Sequence, residues 1–247
     1  MNKVIVFDGG NYLHKAIFAF RNNYNVPATY TYMRMLIGDL KKVKFESSDQ
    51  VIIAQDSGRS WRKEEDPNYK AQRKAAREGQ ESPEWWKEMY GEFNDFIPKL
   101  EMSLPWHFIG VYHCEADDVA SVVARYYKSK EVILCSSDRD WEMLLAFPNV
   151  KLFSPISKKF KNVPNPMKVL LEKIQGDVSD NLLEKPSSEA EFERRKRIVN
   201  LLELPDFVEQ QIQDKLHHLL PKNLYLKKIP YNSIREEIRK LYIDLTR

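Results

Sequence analysis

The chain has 247 residues, 43% of them hydrophobic and 30% charged, a balance that supports a sizeable buried core and argues against a disordered tail. No apolar run reaches the roughly 18 residues a membrane-spanning helix needs, and the apolar part of Met1–Asp8 is too short for a signal peptide, so neither is expected. Net charge is +3 and the two cysteines, Cys114 and Cys135, show no metal-ligand spacing; buried thiols in a reducing, cytoplasmic compartment (a host cytoplasm for a viral chain) are expected.

Val4–Phe7 is a short apolar run that ends in Asp8-Gly9-Gly10-Asn11, a strand followed by a turn signal. Tyr30, Met33, Leu36, Ile37 and Leu40 then recur at helical spacing. Val51–Ala54 is a second strand and leads into Gln55-Asp56-Ser57-Gly58. The segment Arg59–Arg77 is different. It carries Arg59, Arg62, Lys63, Lys70, Arg73, Lys74 and Arg77 against Glu64, Glu65 and Asp66, and it has no apolar stripe. It reads either as a solvated loop or as a basic lid or arch over a site. Trp85, Met89, Phe93, Phe96, Ile97 and Leu100 predict a helix, with core packing the default for the adjacent Trp85 and Trp86. Trp106–Gly110 is a weaker strand, Val119–Tyr127 a helix, Val132–Cys135 a third clear strand ending in Ser136-Ser137-Asp138, and Val150–Phe153 another weak one. All eight glycines lie at or before Gly176, and the remainder reads as helical, with Val208, Ile212, Leu216 and Leu219 on one face and Ile234, Ile238 and Leu241 on another. Strands alternating with helices predict an α/β fold, a central mainly parallel sheet flanked by helices, followed by a helical C-terminal region.

Asp8, Asp56 and Asp138 each follow an apolar strand directly, and in open parallel sheets ligands bind outside the carboxyl ends of the strands. One such aspartate can be a helix cap; three together point to a site. Glu115-Ala116-Asp117-Asp118 crowds three acids into the first turn of a helix, where the usual reason to tolerate their repulsion is a cation. Ser137-Asp138-Arg139-Asp140 places two acids in one turn, and Gly176-Asp177-Val178-Ser179-Asp180-Asn181 places two at i and i+3, on one face of a helical turn. Hard oxygen ligands select Mg²⁺ or Mn²⁺, and no His/Cys set has zinc spacing. No Gly-rich phosphate loop or Gly-x-Ser-x-Gly elbow is present. With the nine acids Asp8, Asp56, Glu115, Asp117, Asp118, Asp138, Asp140, Asp177 and Asp180 set aside, the net +3 becomes +12, a basic body around an acidic pocket. That distribution suits a polyanion held by its backbone. Two cations roughly 4 Å apart can clamp a phosphodiester, activating water and stabilising the leaving oxygen.

These motifs, with Phe7-Asp8-Gly9-Gly10-Asn11-Tyr12-Leu13, Trp61-Arg62-Lys63 and Pro67-Asn68-Tyr69-Lys70-Ala71-Gln72-Arg73, stand in an order that resembles the 5′-nuclease superfamily. That superfamily comprises flap endonucleases, bacteriophage 5′-to-3′ exonucleases and the 5′-nuclease domain of bacterial DNA polymerases, and the phage members look most similar. The resemblance covers about two thirds of the chain. It implies a PIN-like catalytic core over 1–181 with an arch or lid in 59–100, and a helical DNA-binding region over 182–247. It implies two Mg²⁺ ions, with Mn²⁺ able to substitute. Asp8, Asp56, Glu115 and Asp117 match the acids around the first; Asp118, Asp138, Asp140, Asp177 and Asp180 match those that support the second. Lys70 and Arg73 match catalytic basic residues that contact the scissile phosphate, and Tyr69 matches a position that stacks on a terminal base. Arg59, Arg62, Lys63, Lys74 and Arg77 are expected to touch nucleic acid. The implied partners are DNA with 5′ flaps, nicks or ends, or an RNA–DNA hybrid, and no membrane.

The pattern departs from the family after Asn181. A glycine-bearing hairpin that grips duplex backbone, often with a monovalent cation, is usual there; here Leu182-Leu183-Glu184-Lys185-Pro186-Ser187-Ser188 has no glycine. Turns that need φ > 0 lose their natural residue, a K⁺ site is in doubt, and Arg194, Arg195, Lys196 and Arg197 stand either as a phosphate-holding patch or as a solvated helix face. Weaker duplex grip and a single-strand-binding or replication helper protein follow as expectations. Two other readings stand beside the 5′-nuclease: a PIN-like ribonuclease, and a non-catalytic DNA-structure-binding protein.

Overall fold

The computed structural model describes residues 2–73, 76 and 79–243. In chain order its elements are β1 (Val4–Asp8), α1 (Gly9–Asn22), α2 (Ala28–Lys42), β2 (Gln50–Gln55), α3 (Arg62–Glu65), α4 (Pro83–Ser103), β3 (His107–Gly110), α5 (Ala116–Tyr126) and β4 (Val132–Cys135). A 3-10 turn at Asp140–Ala146 leads to β5 (Val150–Ser154), β6 (Lys159–Phe160) and α6 (Pro166–Gln175). A second, Val178–Asp180, precedes α7 (Glu189–Val199) and α8 (Asp206–His217); a third, Leu226–Lys228, precedes α9 (Asn232–Ile243).

The six strands lie in the order β3-β2-β1-β4-β5-β6. All pairings are parallel except β5 with β6. The five apolar runs of the sequence are all strands here; β6 is an addition, two residues too short and too polar to leave a period. Strand alternation sorts the core into two layers. Val4, Val6, Ile52, Ala54, Leu134 and Leu152 pack against α5, α6, α7 and α8. Ile5, Phe7, Val51, Ile53, Ile133 and Phe153 pack against α1, α2, α4 and α9. Both faces are covered, which is why the strands read as unbroken apolar runs. The segment 182–247, expected as one helical region, therefore divides around the sheet: α7 and α8 lie on one face and α9 on the other. Trp86, Met89, Phe93, Phe96 and Leu100 put α4 into one core layer, and Trp61 and Tyr69 put the start of 59–100 into the other. Among the described residues no helix is long and apolar enough to cross a membrane.

After β3 the chain returns to the other side of β1, so the order reverses between β1 and β4. That reversal opens a crevice at the carboxyl ends of the strands. Gly9 makes the edge possible: a Cβ there would come within 2.7 Å of the Ala54 carbonyl on β2, so only glycine lets α1 start beside β2.

Candidate active site

Asp8 is the last residue of β1 and caps α1, Oδ1 accepting from the Asn11 amide at 2.9 Å and Oδ2 from the Ser136 hydroxyl at 2.7 Å. Asp138, beyond β4, accepts from the Asp140 amide, and its own amide donates to Ser136 Oγ at 3.0 Å. Asp56, beyond β2, accepts from the Ala116 amide at 2.8 Å and so ties the start of α5 to the strand edge. Asp117 on α5 accepts from the Trp141 indole at 2.6 Å. Strand ends and one helix N-terminus thus deliver four aspartates to one crevice. Burial lifts the Asp8 carboxyl to about 6, and the charges of Asp138 and Asp56 add to the rise. Burial and then Asp138 raise Asp117 well above the carboxylate range.

Glu115, on the opposite wall, behaves the other way. Burial pushes it up, but the Lys70 ammonium at 2.9 Å and the Arg62 guanidinium at 3.4 Å outweigh this and hold it at about 2. The Tyr69 hydroxyl donates to the same oxygen at 3.1 Å. Lys70 itself has a left-handed backbone, φ 55, unusual for a residue with a side chain, and its amide reaches the Asp180 carbonyl at 3.3 Å.

Asp140, Asp177 and Asp180 form a second group around Lys173, whose Nζ lies 2.5, 2.7 and 2.8 Å from them. Lys173 was not a candidate in the sequence; its signal is the i,i+4 spacing to Asp177 on the last turn of α6. Burial raises Asp140 to about 6 against the pull of Lys173, whereas Asp177 is lowered because hydrogen bonds from Lys173 and Ser179 outweigh burial. The other Asp180 oxygen, Oδ1, is buried without a hydrogen bond, 3.8 Å from Arg73 and 3.9 Å from Lys70.

Four assignments change. Asp118, expected to support a cation, is fully buried, with both oxygens on Arg62 at 2.7 and 3.0 Å and one also on the Trp61 indole and the Glu115 amide. It braces the wall instead of facing the crevice. Arg62, expected to touch nucleic acid, is 2% exposed and spends its guanidinium on Asp118, Glu115 and the Ile198 carbonyl. Tyr69, expected to stack on a base, is 3% exposed. Arg195 is buried on the Glu184 and Ile174 carbonyls and Glu191, because it shares the inward stripe of α7 with Ile198 and Val199. Its neighbours remain at the surface in ion pairs: Arg194 with Asp66, Lys196 with Glu193 and Arg197 with Glu65. Lys74 and Arg77 lie outside the described residues.

A cleft of about 650 Å³ opens beside the acids. Arg59, Lys63, Lys70, Arg73 and Lys87 line it against Asp56 and Glu115. Gly58, at φ 73, forms its lip under the exposed Tyr112 ring, which a Cβ would meet at 2.9 Å. Basic walls with an acidic floor can hold a phosphate backbone over a carboxylate cluster.

The donor chemistry fits a hard divalent cation in the first group: carboxylate oxygens only, self-repelling, with proton affinities raised for want of positive charge. Among the described residues, no three His, Cys, Asp or Glu side chains are already closed into a metal-binding set. In the second group Lys173 stands at the point where the three carboxylates converge.

Residues 3–174 match the family described as 5′-3′ exonuclease, N-terminal resolvase-like domain. The chain is 27% identical to the ribonuclease H of Enterobacteria phage T4 over 151 residues, 58% of this chain and 49% of that protein. It is 30% identical to a 5′-3′ exonuclease of Buchnera aphidicola over 194 residues, 72% of this chain and 60% of that one. The matches thus cover between about half and three fifths of these relatives' length. Among solved structures, the bacteriophage T5 D15 flap endonuclease, in a pseudo-enzyme-product complex with DNA and metal ions, superposes with a TM-score of 0.59 at 24% identity, covering 98% of this chain and 88% of that one. The T5 D15 protein crystallised with metal ions gives a TM-score of 0.59 at 20% identity over the same shares.

Proposed function

The chain belongs to the family of the 5′-3′ exonuclease N-terminal resolvase-like domain, and from that premise we propose that it is a structure-specific 5′-nuclease that hydrolyses phosphodiesters near 5′ ends of DNA. The observation that carries this reading is the meeting of Asp8, Asp56 and Asp138, from three strand ends, with Glu115 and Asp117 of α5, beside a cleft lined by Lys70 and Arg73. Asp8, Asp56, Asp117 and Asp138 would hold Mg²⁺, or Mn²⁺ in its place, which when bound would supply activation of a water and charge stabilisation on the departing oxygen.

The rest falls to the chain. Lys70 and Arg73 face the phosphate and offset the charge that grows on it. An ammonium has three N–H donors and Glu115 takes one from Lys70, so the side chain is held in place with donors to spare. Ser136 and Asn11 fix the Asp8 carboxylate, Trp141 fixes that of Asp117, and the Arg62–Asp118 pair keeps the basic wall in register with α5. The attacking water bonds to phosphorus, the P–O3′ bond breaks, and the departing oxygen takes a proton, leaving a 5′-phosphate and a 3′-hydroxyl.

The test is a 5′-labelled flap duplex incubated with the protein in Mg²⁺ or in EDTA, beside Asp138→Ala. Metal-dependent cleavage near the flap junction is expected, lost in the variant with binding kept. Products that carry a 3′-phosphate, or tight binding with no cleavage of flap, nicked or hybrid substrates, would overturn it. The similarity to a protein named ribonuclease H makes an RNA–DNA hybrid the second substrate to try.

A further inference from the structure

The charge balance within the acid cluster is uneven. Asp140, Asp177 and Asp180 come from three places in the chain, the turn after β4 and the two ends of a 3-10 turn, and all three converge on one nitrogen. An ammonium has three N–H donors, and three carboxylate oxygens within 2.8 Å satisfy all of them. Lys173 is 5% exposed, and a lysine so deeply buried keeps its charge only where acids surround it. Asp180 adds an independent sign. Its Oδ1 is buried with no hydrogen bond although Oδ2 is taken, so the site holds more acceptor capacity than Lys173 uses. Among the described residues, Asp8, Asp117 and Asp138 have no such cation as a hydrogen-bond partner; neutral groups, Asn11, Ser136, Trp141 and a backbone amide, serve them.

We propose that Lys173 is a tethered cation for the second acid group, so that its ammonium and a divalent ion compete for Asp140, Asp177 and Asp180, and the second ion binds only by displacing it. The inference rests on the nuclease reading for the presence of a first ion, but it concerns the chain's own side chain. Two positive charges a few ångströms apart repel strongly enough to weaken the second ion by about tenfold or more. A consequence is that at low divalent concentration the protein is singly loaded and the charge of its second group is partly offset from within.

The test is a Mn²⁺ titration of the whole chain, followed by electron paramagnetic resonance, for wild type, Lys173→Met and Lys173→Arg. Wild type is expected to show two classes of site about tenfold or more apart. Lys173→Met tightens the weaker class to near the stronger, and Lys173→Arg keeps it weak. Two equally tight sites in wild type, or a weak class unchanged in Lys173→Met, overturns the proposal while leaving the nuclease reading intact. No Mn²⁺ bound by any of the three sinks both.

A second measurement needs no variant: reductive methylation of wild type, read by peptide mass spectrometry, without metal and at saturating Mg²⁺. Lys173 is expected to be protected without metal and labelled with it. Equal labelling in the two states overturns the displacement.

Discussion

Glu115 and Asp8 stand in the same acid cluster and titrate in opposite directions. On the α5 wall the chain brings its own cations: Lys70 and Arg62 hold Glu115 at about 2, and Arg62 neutralises Asp118. On the wall made by β1 and β4 the described residues bring neutral hydrogen-bond donors, and burial lifts Asp8 to about 6. The first wall is a finished ion-pair network, which positions. The second is an unbalanced one, stable only at a cost, of the kind a cation would complete. The same letter in the sequence, an acid beside a strand or helix start, serves either purpose, and the partner decides which.

The contrast can be broken from the finished side with the largest effect. Arg62→Met strands Asp118 in the interior and is expected to cost about 3–5 kcal/mol, read as a lower urea midpoint; an unchanged midpoint would mean the pair holds nothing. Lys70→Ala removes the cation that holds Glu115 and is proposed to face the phosphate, and cleavage is expected to slow by about 10²–10³-fold in single-turnover kinetics.

From the unbalanced side, Asp8→Asn keeps the helix cap but removes a buried charge. Its proton is held up to about pH 6 in the folded protein, against an ordinary 3.8. The stability it contributes is therefore complete below the lower value and lost as pH rises through the upper one. Without divalent metal at pH 7–8 the variant is expected to be more stable than wild type by about 1–3 kcal/mol, with the difference vanishing near pH 4. A calorimetric series over that range checks both the size and the sign. The smallest effect belongs to Tyr69→Phe, which loses one hydrogen bond to Glu115, about 0.5–1.5 kcal/mol, and leaves single-strand affinity unchanged. A large fall in that affinity would put the ring back on a base.

Much of this architecture was legible in the letters. Buried parallel strands need unbroken apolar runs, so Val4–Phe7, Val51–Ala54 and Val132–Cys135 announced themselves, and the acids after them followed from strand polarity. The fate of neighbouring charges was not legible in the same way. Asp117 and Asp118 are adjacent, yet only the second shares the inward stripe of α5 with Val122. Arg195 likewise shares a stripe with Ile198 and Val199, a period that a run of four basic letters hides. Arg62 had no such period: its burial depends on meeting Asp118 and Ile198 from distant parts of the chain. The turn just before the glycine-free stretch Leu182–Ser188 is made without glycine. Asn181, one of the few residues at ease in the left-handed region, takes φ 64 and lets Asp177 pair with Leu182.

That same turn is stitched to the foot of the basic segment. The Gln72 amide donates to the Val178 and Ser179 carbonyls, Asn181 to the Asn68 carbonyl, and the Lys70 backbone to Asp180. The cross-bars join two stretches of chain a hundred residues apart into one strut, so a displacement at Gln72 is felt at Asp180 without passing through the sheet. Lys70 and the second acid group are thereby locked to each other like the jaw and anvil of a single vice.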